Sequence, residues 1–221
     1  MDLRIILTIT ILTLIIYYSM TYFGLYRYIM MHNLSFKDLA DNYKNLTNAD
    51  NVKVILSFTA QPEEIENITP FINSLLDQTV KINQIAFNIP ADKEYKIDPL
   101  LKSVVNVFKC GKDYDEANKI VPTLLREGES DAKIIILNPN YVYGKDFIEN
   151  VVNISNKLPD NAIVLTDKSA VLVKPKFFTT DSIGLLKSMC TENNDDLSWL
   201  INSINAPLTF YEYNGTFRNI F

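Results

Sequence analysis

Between Arg4 and Arg27 the chain carries no charged residue. At 1.5 Å of rise per residue, a helix over Ile5 to Tyr26 reaches about 30 Å, the thickness of a bilayer's hydrocarbon core. Tyr17, Tyr18, Tyr22, Phe23, Tyr26 and Tyr28 crowd the C-terminal side of this stretch, as an interfacial aromatic belt would. A cleaved signal peptide is the competing reading. Its apolar core would be about 7–15 residues long and would end in small residues, whereas this run continues into bulky Tyr, Phe and Leu. The expectation is therefore a retained single-pass anchor over residues 1–32, with Ile5, Leu14, Tyr22 and Tyr26 against lipid. Arg4 and the N-terminal amine lie on one side; Arg27, His32 and Lys37 lie on the other, too even a balance to set topology. The sequons at Asn45, Asn67, Asn153 and Asn214 do not set it either, in so Asn-rich a chain.

The 221 residues carry a net charge of −5 and no Lys/Arg cluster, which argues against a nucleic-acid partner. One histidine and two cysteines leave little for a His/Cys metal site or a Ser–His–Asp triad. Cys110 and Cys190 read as reduced core residues or, in an oxidising lumen, as a pair. No phosphate-binding glycine loop occurs among only 6 glycines. Residues 33–51 are polar and read as a stem, with helical spacing around Phe36 to Tyr43.

From residue 52 onward, strand-like and helix-like segments alternate. Val52–Phe58 and Ala132–Leu137 are continuous apolar runs of the kind buried on both sheet faces. Further strands are expected at Ile82–Ile89, Val104–Phe108, Ala162–Leu165, Ser169–Val173 and Leu208–Tyr213. Apolar residues at helical spacing predict helices over Glu63–Leu76, Pro99–Ser103, Asp115–Arg126 (with Pro122 bending it), Asp146–Asn156 and Asp195–Ser203. This alternation predicts a single α/β domain over 52–221 with a mostly parallel central sheet, preceded by one transmembrane helix.

The stretch VILSFTAQPEEIENITPFINSLLDQTVKINQIAFNIP resembles the opening of GT-A-type glycosyltransferase-like proteins, including those encoded by large DNA viruses. DYDEANKIVPTLLRE and AKIIILNPNYVYGKDFIENVV resemble two later units of that family. VLVKPKFF followed by CTENNDDLSWLI resembles its last strand and acidic helix start. The resemblance covers roughly Val52 to Asn205 and implies a GT-A-like, Rossmann-like fold. It also implies that Lys119 and Asp113 face a nucleotide-sugar donor, and that Asp195 or Asp196 acts as base toward an acceptor hydroxyl. Bottom-up, Asp195 and Asp196 serve equally well as caps of the helix that follows, Lys119 as a solvated helix residue and Asp113 as an N-cap.

The family's metal-binding Asp-x-Asp falls on Asn138-Pro139-Asn140, and neutral amides offer a dication no charge. The first-loop arginine is replaced by Gln61-Pro62-Glu63-Glu64, an acidic surface facing a would-be diphosphate. These two departures together shift the expectation from enzyme toward a non-catalytic scaffold that binds a membrane and other proteins. The viral resemblance implies capsid or membrane-assembly partners, in a virion's internal membrane or an endomembrane. No cofactor is expected. The alternative is an active membrane-bound transferase using a nucleotide sugar, with Mn or Mg.

Overall fold

The computed structural model describes residues 3–22, 24–111, 113, 115–128, 130–160, 162–166, 169–178 and 209–213. The uncharged run forms α1 (Leu3–Tyr22), whose segment Leu3–Met20 is long and apolar enough to cross a membrane and buries nothing against the protein. Ile5 and Leu14 are each about half exposed along it, and Tyr22 is its last residue. The helix expected to continue to Tyr26 stops there. Gly24 adopts φ 70°, a left-handed conformation that side chains resist, and a second helix, α2 (Leu25–Asn33), starts after it. Tyr26 stays exposed on α2.

The polar segment 33–51 contains α3 (Phe36–Lys44), started by Ser35, whose Oγ accepts from Asp38 N. Leu39, Ala40 and Tyr43 of α3 are buried in the main core, so this segment packs onto the sheet.

The strands are β1 (Val54–Phe58), β2 (Gln84–Pro90), β3 (Asn106–Cys110), β4 (Lys133–Leu137), β5 (Ala162–Thr166), β6 (Ala170–Val173) and β7 (Thr209–Tyr213). Among the described residues they form one seven-stranded sheet in the order β3-β2-β1-β4-β6-β5-β7. Every pairing is parallel except those of β6, which runs antiparallel to β4 and β5. The reversal into β6 is held by Thr166 Oγ1, which donates to Ala170 O at 2.8 Å.

β1 and β4 are buried along their whole length because both faces of the sheet are covered. On one face, Val54, Leu56, Phe58, Ile135 and Leu137 meet α3, α4 (Thr69–Leu76) and α7 (Phe147–Lys157). On the other, Ile134, Ile136, Val171 and Val173 meet α6 (Val121–Glu127) and the turn before it. Neighbouring β4 residues thus serve opposite layers, as the two-residue strand period requires. Phe58 anchors the first layer, stacked on Phe87 with centroids 4.7 Å apart and edge-on to Phe71 at 5.0 Å.

Two expected helices are each divided. Glu63–Leu76 is a 3₁₀ turn over Pro62–Asn67 followed by α4, and Asp115–Arg126 is a 3₁₀ turn over Asp115–Lys119 followed by α6. In both cases a proline, Pro70 or Pro122, lies in the first turn of the second piece. There its missing N–H costs nothing, whereas inside a continuous helix it would break a hydrogen bond. The short helix at Pro99 is α5 (Pro99–Lys102), and β3 starts two residues later than the expected Val104. The helix expected at Asp195–Ser203 lies outside the described residues.

Candidate functional site at the switch point

The chain leaves β1 in one direction to build β2 and β3, then returns to β1's other side to build β4. In open parallel sheets the crevice beyond the carboxyl ends of two such strands is where ligands bind. Here it lies between the loop after Phe58 and the turn after Leu137. Thr59, Ala60, Gln61, Glu64, Lys119, Asn138, Pro139 and Asn140 line a hollow of about 50 Å³ at that place. Lys119 and the Asn138–Asn140 turn, read separately from sequence, therefore share one crevice.

Lys119 ends the 3₁₀ turn before α6 and is only 2% exposed. Its carbonyl accepts from Ser57 Oγ at 2.5 Å. Ser57 Oγ lies 2.7 Å from Thr123 Oγ1, and Asn88 Nδ2 donates to both hydroxyls at 3.0 Å. Arg126 Nη2 donates to Asn88 Oδ1 and Thr123 Oγ1 at 3.0 and 2.9 Å, with its guanidinium 3.6 Å above the Phe108 ring. This connected polar group fixes the backbone that carries Lys119. Only the sheet's layering brings Ser57, Asn88 and Thr123 together, so sequence spacing gave no sign of it.

Asp113 does not line the hollow. Its carboxylate pairs with Lys93 at 2.6 Å and accepts from Asn118 Nδ2 at 2.6 Å, while Lys93 also donates to Gln61 Oε1 at 2.9 Å. The first-loop acid Glu64 turns back on its own chain, its Oε2 accepting from Gln61 N at 2.6 Å. Tyr95 donates from its hydroxyl to Ala60 O at 3.1 Å. Its phenol is pushed up to about 12, first by burial and then by the carboxylates of Asp113, Glu63, Glu64 and Asp92. The rim of the crevice thus carries both carboxylates and the Lys93 ammonium, the latter paired with Asp113.

The turn after β4 is tightly closed. Asn138 Oδ1 accepts from Asn140 N at 3.0 Å, an Asx turn. Asn138 N donates to Ser169 O at 2.9 Å. Tyr143, fully buried, places its hydroxyl 2.6 Å from Ser169 O and 3.1 Å from both Asn138 N and Asn138 O. Burial drives this phenol far above its ordinary value, so it remains a hydrogen-bond donor. Tyr143 was missed in the sequence because nothing distinguishes it from Tyr141 there.

The donor set does not fit the divalent cation that the family resemblance implies. Asn138's carbonyl oxygen is committed to Asn140, Asn140 is a neutral exposed amide, and Glu64 caps its own turn. Among the described residues, no group of three or more His, Cys, Asp or Glu side chains could hold a metal. A larger hollow of about 270 Å³ adjoins the crevice through Glu64, Pro139 and Asn140. Ile68, Phe71, Val142 and Tyr28 of α2 form its other walls. Asp195 and Asp196 lie outside the described residues.

Neither a protein-family model nor a curated protein matches this chain. Among solved structures, the UTP-bound UGPase from Acinetobacter baumannii is similar at 8% sequence identity and a TM-score of 0.47, over 76% of this chain and 88% of that one.

Proposed function

We propose that the chain is a membrane-tethered, glycosyltransferase-like domain that acts as a protein-binding scaffold and transfers no sugar. The Asn138–Asn140 turn carries this reading. Where a transferase of the resembled family needs carboxylates free to hold a cation against a diphosphate, this chain has two amides, one spent on closing the turn. The first loop supports it, since Glu64, where the resembled family carries an arginine toward phosphate, is a carboxylate that caps its own turn. For a protein partner, the groove lined by Phe36, Ile65, Ile72, Leu100 and Leu101 offers apolar surface, with Leu100 more than half exposed. Lys119 at the crevice is the one observation favouring a metal-independent transferase, because a buried ammonium could meet phosphate.

Titration of the full chain in nanodiscs with UDP and GDP, with and without manganese, separates the two readings. The scaffold gives no saturable heat, and Asn138→Asp with Asn140→Asp restores no sugar transfer because the Glu63/Glu64 loop is unchanged. Saturable binding of either nucleotide, with or without manganese, or turnover in the double variant, would overturn the proposal.

A further inference from the structure

We infer that α2 lies in the headgroup layer of the bilayer and holds the α/β domain directly against the membrane, with Leu25, Tyr26 and Ile29 meeting lipid. The inference rests on α1 spanning the membrane. α1 has 20 residues, about 30 Å of helix, which uses up the hydrocarbon core. Only residues 23 and 24 separate its end from Leu25, and three steps of chain reach at most about 10 Å. The first turn of α2 therefore cannot leave the interfacial zone.

α2 presents two faces. Met31 is fully buried, while Leu25, Tyr26 and Ile29 are 39%, 54% and 43% exposed on the opposite side. His32 and Asn33, farther from α1, are also exposed, so the outer face runs from apolar at the membrane end to polar beyond it. The inner face is bolted to the domain. Arg27 Nη1 pairs with Asp77 Oδ2 at 2.5 Å and its Nε donates to Tyr143 O at 3.2 Å. Asn73 of α4 donates from Nδ2 to Met31 O at 2.7 Å and Leu34 O at 3.2 Å. Arg27, the residue that ends the uncharged run, is thereby spent on protein. The outer face of the first two turns carries no charge, so the lipid it meets need not be anionic. Continuity with α1 singles out lipid over a second copy of the chain as the occupant of this face.

The test uses the full chain in phosphatidylcholine nanodiscs, with Cys110→Ala and Cys190→Ala as background. An environment-sensitive fluorophore is placed on Leu25→Cys, Tyr26→Cys or Ile29→Cys, with Lys37→Cys as the exposed control on α3. The four labelled positions are at the surface, and because Cys110 is buried the double-alanine background is first matched to the native chain by its thermal midpoint. Labels at 25, 26 and 29 should be quenched several-fold more by headgroup-level spin-labelled lipid than by aqueous iodide, and the label at 37 the reverse. Equal access of iodide to all four labels on a chain that stays in the nanodisc would overturn the inference and leave the anchor standing. Loss of the chain from the nanodisc would remove both. Disulfide-linked dimers through Tyr26→Cys would assign the face to a second copy and overturn the lipid contact.

Discussion

Tyr143 fastens the turn that decides how the crevice is read. Its hydroxyl serves both the amide and the carbonyl of Asn138 and the carbonyl of Ser169, and its own carbonyl receives Arg27 from α2. Tyr143→Phe keeps the ring packing and removes only that hydroxyl. Because Asn138 N retains Ser169 O, the expected cost is about 1–2 kcal/mol, read as a lowered thermal midpoint in detergent. Single side chains were unevenly legible in the sequence. Lys119 and Asn138 were singled out separately, and only the sheet order brings them to one crevice. The pairing of Asp113 with Lys93 was not legible either, since Lys93 comes from a loop whose path no pattern encodes.

Strands were read more faithfully than helices. The runs of Val, Ile and Leu that became β1 and β4 have one physical explanation, burial on both faces, and the sheet supplies it. Helical spacing, by contrast, persists through a 3₁₀ turn and across a break, so Ile65, Ile68 and Ile72 looked like one helix until Pro70 divided them. The direction of β6 was invisible too, because a short apolar strand has the same pattern whichever way it runs. Lys133, at the start of β4, ties three pieces together. Its ammonium meets Asp50 from the segment before β1 and Asn156 of α7, and it is only 5% exposed. Asp50→Ala strands that charge and should cost about 2–4 kcal/mol. Asp50→Leu combined with Lys133→Leu should recover much of the loss, as chemical denaturation of the two variants would show.

Three phenols, Tyr43 and Tyr143 buried and Tyr95 half-buried, link the layers to pH. Tyr43 couples α3 to β2's approach through Ile82, Tyr95 closes over Ala60, and Tyr143 holds the turn; burial is the leading cause of the raised value in each. The folded chain resists ionising them, while the unfolded chain ionises them near pH 10. Their contribution to stability is therefore intact below about pH 10 and is lost progressively as pH rises toward and past 12, where Tyr95 titrates in the folded state. Denaturant midpoints should stay level with respect to these groups up to pH 10 and then fall, and Tyr95→Phe should soften the first part of that fall. The bolts from Arg27 and Asn73 onto the domain carry one more consequence. A body on a slack stalk sweeps through many headings, and each partner that captures it must first still that motion. Here α2 surrendered its freedom to turn against the domain when the chain folded, so a partner that grips both at once spends little on aiming.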